Sequence, residues 1–372
     1  MKKLIIFLLI VFINLFYSCN DDIKIDESIP DSRSFYMGFT GFPYDLSLES
    51  VDTVFREVVI LGDIYLNHFD KGIPWDESLK DELPEFVKND LVRKSDIPGH
   101  KLFQTIAITS TTREDLANYW SADGEDLPLP DKWNSKSFDD PEVIKAYLNF
   151  CRNVIEYAKP DYFAFAIEIN ASFKRNTTKW HSYLNFADTV YHTLKKEFPD
   201  IPILQTMQDQ SFNKSKKELL DLSRELLPYT DMIAVSTYPY WQYKYPKRNA
   251  EVKNISQDWL YEMRDLDPDK PFAISETGYI AEDLIMDTIG VYIKGTEESQ
   301  KDYTQLMFNR LNEMGAKFVC WFVYRDYDML YEKFSNPPFI FKVWKDTGIK
   351  DGDGKRRKSY YNWEKWKELP VK

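Results

Sequence analysis

Residues 140–168 decide the fold, and they read DPEVIKAYLNFCRNVIEYAKPDYFAFAIE. Asp140 is a residue type that caps helix N-termini, and Pro141 suits the first helical turn. Apolar residues then recur at helical spacing until Pro160, which cannot continue a helix. An apolar run with the length of a strand follows at 162–168. This stretch therefore predicts a helix followed directly by a buried strand.

The same unit recurs along the chain. Eight apolar, strand-like runs occur at 35–39, 58–61, 102–108, 162–168, 202–206, 232–237, 272–276 and 317–322. Helical patterns separate most of them, at 48–57, 141–158, 183–197, 216–227, 257–264 and 298–314. Strands that alternate with helices pair in parallel, and eight such units predict an α/β fold, a closed (β/α)8 TIM barrel. A doubly wound open sheet is the alternative, but 37–41 is a poor match to its glycine-rich phosphate turn.

The composition of the 372-residue chain favours one large globular domain with an unusual aromatic content. Hydrophobic residues make up 43% and charged residues 29%, which is enough apolar sequence for a large core. The net charge of −12 disfavours a nucleic-acid partner, because phosphate binding needs a basic face. Phe, Tyr and Trp make up 16%, and Tyr and Trp favour partly wet sites, which indicates a binding surface. Cys151 and Cys320 lie in separate predicted elements, so we expect two buried thiols.

The N-terminus has the pattern of a targeting segment. Two lysines precede an apolar run at 4–16, which is too short to span a membrane. The following Tyr17-Ser18-Cys19 resembles a lipoprotein processing site, and the resemblance implies that Cys19 becomes the lipidated first residue. We therefore divide the chain into a signal peptide (1–18), a tether (19–33) and a barrel domain (34–372). This implies a lipid anchor in the outer membrane or at the cell surface of a Gram-negative bacterium, with a periplasmic or secreted protein as the alternative.

Two glutamates end predicted strands. Because alternate residues of a strand face opposite sides, Glu168 shares its side with two alanines, whereas bulky residues share the other side. Small residues facing the barrel axis would place Glu168 inside the carboxyl-terminal rim, with Asn170 one step further out. Glu276 likewise ends the seventh apolar run. An ionised carboxylate in such a position is costly unless it is paired or solvated in a site. Two of them at one rim predict a functional site.

Two carboxyl groups and many aromatic residues are what glycoside hydrolysis requires. One carboxyl protonates the departing oxygen, and the other attacks the anomeric carbon or activates water there. At a separation of about 5–5.5 Å the second carboxyl acts as a nucleophile and the anomeric configuration is retained. Flat aromatic faces supply platforms for sugar rings. With only four histidines and no His-x-x-x-His pair, the sequence predicts no metal site, and it contains no cofactor motif that we recognise.

Three short motifs resemble glycoside hydrolase clan A, the retaining (β/α)8 enzymes. Residues 274–278 (ISETG) are similar to the clan's strand-seven motif. Residues 231–241 (DMIAVSTYPYW) are similar to strand six of the endo-β-1,4-galactanase family and its relatives, and residues 320–322 (CWF) are similar to strand eight. The resemblance implies that Glu168, at the end of strand four, is the acid/base and that Glu276, at the end of strand seven, is the nucleophile.

The resemblance also implies partners for these glutamates. Tyr238 would hydrogen-bond the nucleophile, and Trp321 would form the floor of the subsite that holds the cleaved sugar. The chain departs from the clan directly before the acid/base, where the usual Asn that binds the sugar 2-hydroxyl is replaced by Ile167. Further candidate substrate-binding residues are predicted at the same rim: Asn170, Gln208, His68, Trp75 and Trp241.

The sequence thus predicts a retaining glycoside hydrolase whose partner is a β-linked polysaccharide or oligosaccharide. The departure at Ile167 motivates an alternative, a non-catalytic glycan-binding lipoprotein on the same scaffold. A barrel enzyme of another chemistry, such as a lyase, is a third possibility.

Overall fold

The computed structural model describes residues 23–111, 113–211, 214–242, 248–334 and 341–372. Eight parallel strands close into a barrel in chain order. They are β1 (Tyr36–Thr40), β2 (Ile64–Phe69), β3 (Lys101–Ile106), β4 (Tyr162–Ala166), β5 (Ile203–Gln208), β6 (Ile233–Thr237), β7 (Phe272–Thr277) and β8 (Phe318–Trp321). Because β1 pairs with both β2 and β8, the sheet has no free edge. The predicted TIM barrel is confirmed.

Helices surround the barrel and occupy its loops. They are α1 (Leu48–Leu61), α2 (Trp75–Leu79), α3 (Glu85–Asp90), α4 (Asp131–Asn134), α5 (Pro141–Ala158), α6 (Ile169–Ser172), α7 (Thr178–Glu197), α8 (Lys216–Leu226), α9 (Tyr261–Arg264), α10 (Glu297–Met314), α11 (Asp328–Lys333), α12 (Phe341–Trp344) and α13 (Lys358–Lys367). Short strands outside the barrel pair in two small sheets: Tyr119–Ser121 with Gly124–Leu127, and Val291–Lys294 with Leu284–Met286 and Arg248–Asn249. Asp140 caps α5 as predicted, because its side chain accepts a hydrogen bond of 2.8 Å from the N–H of Glu142.

The second strand lies further along the chain than the sequence analysis placed it. The run at 58–61 is the last turn of α1, because Val54, Val58 and Leu61 recur at helical spacing and are buried together. The strand follows the helix as β2. His68 therefore lies within this strand rather than in a loop after it.

The barrel interior is filled by small and large side chains in alternation. An inner cluster of buried residues consists of Ile64, Leu66, Phe103, Ala164, Leu204, Met232, Ala234, Ala273, Phe318 and Cys320. Phe163 and Phe165 belong to the outer core beneath the helices, as strand alternation predicted. The predicted buried thiols are confirmed, because Cys151 and Cys320 are both free and buried.

The chain joins the fold earlier than the predicted start of the barrel domain. Arg33 is buried, pairs with Asp63 at 2.7 Å and donates a hydrogen bond of 3.0 Å to the carbonyl of Trp366. Further back, the carbonyl of Asp26 accepts hydrogen bonds from side chains of α10. Part of the predicted tether thus packs against the barrel. Cys19 and the predicted signal peptide lie outside the described residues, and within those residues no helix has the length and apolarity that a bilayer crossing needs.

Most tryptophans stabilise the core. The fully buried ones are Trp75, Trp133, Trp180, Trp321, Trp363 and Trp366. Trp363 packs against Phe39 at a centroid distance of 4.4 Å, and Trp366 packs against Phe35 at 5.9 Å, so α13 covers β1. Packing, rather than a binding surface, therefore accounts for most of the high tryptophan content.

Candidate active site

A cleft with a volume of about 1560 Å³ opens at the carboxyl-terminal mouth of the barrel. Both Glu168 and Glu276 line it. The long loops after β3 and β8 contribute Arg113 and Trp344 to its walls. In TIM barrels this end of the strands carries the chemistry, so the cleft is the candidate active site.

Glu168 lies just beyond β4 in an unusual backbone conformation. Its φ of 53° and ψ of 36° are left-handed, which costs a non-glycine residue about 1 kcal/mol. Two hydrogen bonds hold it there: its N–H donates to Thr206 Oγ1 at 2.9 Å, and its C=O accepts from the N–H of Ala171 at 3.1 Å. Arg113 donates to the Glu168 carboxylate at 3.1 Å. The side chain thus faces the cleft with a loop arginine as its partner.

Glu276 lies near the end of β7, with its carboxyl group next to an aromatic hydroxyl. The Tyr238 hydroxyl donates to Glu276 Oε1 at 2.5 Å. Burial, together with the nearby charge of Glu168, raises the pKa of Glu276 to about 8 against the opposing effect of this hydrogen bond. Gly278 follows the strand at a point where the backbone passes close to Phe322. A Cβ at this position would lie 2.2 Å from the carbonyl oxygen of Phe322, so only glycine fits there.

The two carboxyl groups act on one another within the cleft. After burial, the charge of Glu168 is the largest cause of the raised pKa of Glu276. A pKa of about 8 keeps the Glu276 carboxyl group protonated at neutral pH. Burial also lowers the pKa of His68, so its ring is neutral at pH 7, with Nδ1 3.3 Å from the hydroxyl of Thr105. The ligand-free site therefore holds a proton on Glu276 near the charge of Glu168.

Aromatic rings form one wall of the cleft. Trp241 stacks on Tyr238 with centroids 5.7 Å apart and planes at 25°. Trp344 lies 6.0 Å from Trp241. Phe322 packs edge-on against Trp344 at 5.7 Å and against Phe42 at 5.6 Å. These flat apolar faces suit the C–H face of a sugar ring.

Several buried polar atoms on the cleft surface have no hydrogen-bond partner among the described residues. They are Thr109 Oγ1, Ser172 Oγ, Gln210 Oε1 and Ser236 Oγ. Buried polar groups in folded proteins are normally paired. These atoms are therefore available to a ligand that carries hydroxyl groups.

The structure brings six of the sequence-predicted residues to this cleft: Glu168, Glu276, Tyr238, Gln208, His68 and Trp241. The hydrogen bond between Tyr238 and Glu276 has the geometry that the clan resemblance implied. Gln208 is half-buried at the end of β5, in register with Ser236 of β6. Its side chain lies between the two glutamate-bearing strands in barrel order.

Asn170 does not face the cleft, which corrects the sequence-based expectation. Strand alternation does not extend to it, because β4 ends before Glu168 and α6 begins at Ile169. Its buried side chain donates to the carbonyl of Gln208 and accepts from the N–H of Gln208, both at 2.7 Å. It also donates to Ser223 Oγ at 2.9 Å. Asn170 thus clamps the end of β5 and has no free polar atom for a sugar.

Trp75 and Trp321 are also buried away from the cleft. The indole N–H of Trp75 donates to a backbone carbonyl at 2.9 Å, and its ring lies 5.2 Å from that of Trp133. The indole N–H of Trp321 donates to the carbonyl of Thr347 at 2.9 Å. Because side chains alternate along β8, Trp321 faces the surrounding helices and the next residue, Phe322, faces the cleft. Phe322 therefore occupies the place that the sequence analysis gave to Trp321.

Sequence reasoning missed Arg113 and Trp344. Both lie in long loops that follow strands, a signal for function, but nothing in the local pattern singled them out. Arg113 also donates to the carbonyl of Ile167 at 3.2 Å, so one guanidinium contacts both residues at the end of β4.

Within the described residues, one group of three acids lies close enough together to hold a metal ion: Glu282, Asp326 and Asp346. Arg357 pairs with Glu282 at 2.6 Å and also with Asp326, and Lys345 pairs with Asp346 at 2.8 Å. Each of the three carboxylates thus has a cationic partner, so the group is an ion-pair network. Asp326 is fully buried in it.

The barrel is structurally similar to the families GH5 and GH53, which are TIM-barrel glycosidases of clan A. No protein-family model matches the sequence, and no curated protein matches it significantly.

Three solved structures illustrate the similarity. A GH5_18 protein from Bifidobacterium longum subsp. longum, in complex with Manb1-4GlcNAc, has a TM-score of 0.59 and 14% identity, covering 91% of this chain and 80% of that one. The exo-β-1,4-mannosidase Op5Man5 from Opitutaceae bacterium strain TAV5 has a TM-score of 0.61 and 13% identity, covering 94% and 63%. The GH53 catalytic domain of Ignisphaera aggregans has a TM-score of 0.54 and 16% identity, covering 94% and 100%. Identities this low establish the fold alone.

Proposed function

We propose that the protein is a retaining glycoside hydrolase that cleaves a β-linked polysaccharide or oligosaccharide. The observation that carries the proposal is the pair of coupled carboxyl groups, Glu168 and Glu276, in one aromatic-lined cleft. An exo-β-1,4-mannosidase and a protein bound to Manb1-4GlcNAc have the same fold, which supports a β-linked glycan as substrate.

The proposed reaction has two steps. First, the Glu276 carboxylate attacks the anomeric carbon while the Glu168 carboxyl gives its proton to the departing oxygen, which leaves a glycosyl ester on Glu276. Second, the Glu168 carboxylate takes a proton from water, and this water attacks the anomeric carbon and releases Glu276. Two inversions give net retention. The Tyr238 hydroxyl stabilises the charge of Glu276 before attack and after release.

In the ligand-free site the proton is on Glu276, whereas the first step of the reaction requires it on Glu168. A pKa of about 8 keeps the proton on Glu276 at neutral pH, and Arg113 pairs with Glu168. A sugar that enters the cleft displaces Arg113 from Glu168 and removes the charge that held this carboxylate. The hydrogen bond from Tyr238 then favours the charge on Glu276. The proposal therefore requires substrate binding to move the proton from Glu276 to Glu168.

The test compares Glu168→Gln and Glu276→Gln with the wild type on aryl β-glycosides and β-linked polysaccharides. Glu156→Gln is the matched control, because Glu156 is exposed on α5, outside the cleft. We expect both site variants to lose activity by about a thousandfold or more, since acid–base catalysis alone contributes roughly 10²–10⁴. NMR of the first product should show the anomeric configuration of the substrate. Wild-type hydrolysis by Glu276→Gln would contradict the proposal.

A second candidate function is non-catalytic glycan binding. The ion pair between Arg113 and Glu168, and the apolar Ile167 beside it, favour this alternative. Retention of the wild type on a glycan affinity gel, with no reducing ends released from any substrate, would support it.

We also propose that Cys19 anchors the protein to a membrane by a covalent lipid. The support is the sequence itself, an apolar run at 4–16 followed by Tyr17-Ser18-Cys19. This location would place the cleft where it meets extracytoplasmic glycans.

A further inference from the structure

One side of the cleft is positively charged in a chain whose net charge is −12. The loops after β4 and β5 form this side, here named the basic wall, and its cationic residues are Lys174, Arg175, Lys179 and Lys214. The side of the cleft formed by the chain directly after β2 carries an acidic residue instead, Asp70. The cleft is thus polarised, and an anionic group on a ligand is attracted to the basic wall.

Two of these four cations lack a carboxylate partner. Arg175 and Lys179 each form ion pairs with neighbouring acids. In the part of the chain that the structure describes, no carboxylate oxygen lies within 4.0 Å of the ammonium group of Lys174 or Lys214. Burial lowers the pKa of Lys214, the charge of Glu218 opposes that effect, and the charge of Lys174 makes a smaller contribution in the same direction as burial. Burial thus disfavours the charge of Lys214, and an anionic group on a ligand would stabilise it.

Lys214 is close to the backbone of the proposed acid/base residue. Lys214 Nζ donates to the carbonyl of Ala171 at 2.7 Å, and the N–H of Ala171 donates to the carbonyl of Glu168 at 3.1 Å. Three residues, a helical rise of about 4.5 Å, separate these two carbonyls. Ser172 Oγ, in the same turn, is buried and has no partner among the described residues. A charged substituent on the sugar at the scissile bond could reach all three donors.

Two helices begin at the basic wall. The 20-residue α7 begins after its N-cap Thr177, and the 11-residue α8 begins after its N-cap Ser215. Thr177 and Glu218, from the first turns of these helices, line the cleft. A helix N-terminus acts as roughly half a positive charge, so both helices strengthen the potential of the unpaired lysines.

We propose that the basic wall is a subsite for an anionic substituent, a carboxylate or a sulfate ester, on the sugar next to the scissile bond. Lys174 and Lys214 form charge-assisted hydrogen bonds to its oxygens, and the Ser172 hydroxyl donates a third. The inference rests on the proposed function, because it assigns the substrate class of the same cleft, an acidic β-linked glycan.

The experiment measures binding separately from hydrolysis. Calorimetry with the Glu276→Gln variant compares β-linked oligosaccharides of equal length that are neutral, that contain a uronic acid, or that carry a sulfate ester. Lys174→Met and Lys214→Met are then added singly to that variant, with Lys145→Met as the matched control on the outer face of α5. We expect each cleft lysine to contribute about tenfold to the affinity for one acidic ligand, an effect that high salt diminishes. Neutral ligands and the control should show no change.

The outcomes separate this inference from the proposed function. Equal affinity for neutral and acidic ligands would overturn the subsite, and so would an affinity for acidic ligands that neither lysine substitution lowers. Either result would do so even if neutral glycans are hydrolysed through Glu276. Lysine-dependent binding of an acidic ligand without hydrolysis by the wild type would keep the subsite and overturn the hydrolase. Preference for the uronic acid or for the sulfate ester identifies the anion. No binding of any ligand would overturn the subsite.

Discussion

Replacing Tyr238 by Phe removes one oxygen from the site and tests whether Glu276 reacts in its ionised form. The lost hydrogen bond joins the hydroxyl to Oε1 at 2.5 Å, and such bonds to charged groups contribute about 1.5–3 kcal/mol. Since one pKa unit corresponds to about 1.4 kcal/mol, the pKa of Glu276, about 8 in the wild type, should rise by roughly one to two units. The proposed reaction needs one proton on the two glutamates, and Glu276 loses that proton above this pKa, so the basic limb of the kcat/KM profile should move to higher pH by the same amount. At neutral pH fewer molecules carry the charge on Glu276, so activity should fall roughly ten- to hundredfold.

The pH profile is measured on an aryl β-glycoside, and NMR titration of the ligand-free protein gives the pKa of Glu276 without catalysis. Tyr324→Phe is the matched control, because the Tyr324 hydroxyl donates to the carboxylate of Glu57 at 2.9 Å outside the cleft. Its profile should coincide with that of the wild type. A basic limb that stays in place, or moves to lower pH, in Tyr238→Phe would refute the reasoning.

The other predictions concern stability and location. Because the pKa of Glu276 is raised from 4.5 to about 8, its contribution to stability is fully present below 4.5 and is lost by roughly 1.4 kcal/mol per pH unit up to about 8. Glu276→Gln should remove this slope in urea titrations, and an unchanged slope would contradict the raised pKa. Asn170→Ala should lower the free energy of unfolding by about 2–4 kcal/mol, because the backbone N–H and C=O of Gln208 lose their partners. Wild-type stability in the same titration would show that the hydrogen bonds from Asn170 do not hold the end of β5 in place. Glu168→Asn should unfold at the same temperature as the wild type or higher, since Asn tolerates a left-handed backbone, whereas a clear loss would indicate a structural ion pair. Cys19→Ser should move the protein from the membrane fraction to the soluble fraction, and its retention with membranes would argue against the anchor.

Local signals were sufficient for the order of the elements. The cap at Asp140 and the apolar runs placed seven of the eight barrel strands to within about two residues, because each run has the length of a strand and polar or turn residues at its ends. The prediction of a strand at 58–61 was wrong because four consecutive apolar residues show no helical or strand periodicity by themselves. The helical spacing becomes visible only when Val54 is considered with them.

The site was predictable only up to the strand ends. Glu168 and Glu276 stand out because each ends an apolar run, but no local rule gives a glutamate a left-handed backbone. That conformation ends the alternation and turns Asn170 into the core. Trp321 and Phe322 are neighbours in the chain, and which of the two faces the cleft depends on the exact register of the strand. Arg113 lies 55 residues from its partner Glu168, a distance at which sequence spacing carries no signal.

The energetics of Glu168 favour a functional role over a structural one. Its left-handed conformation costs about 1 kcal/mol, and Gly or Asn would adopt it at lower cost. Its ion pair uses the side chain of Arg113, which is 31% exposed, and partly exposed pairs contribute about 0–1 kcal/mol. The pair therefore adds no more stability than the backbone conformation takes away, so stability does not explain a glutamate at this position. The proposed proton transfer would explain it, because that reaction needs a carboxyl group held in a cleft with Glu276, whose pKa the same charge raises.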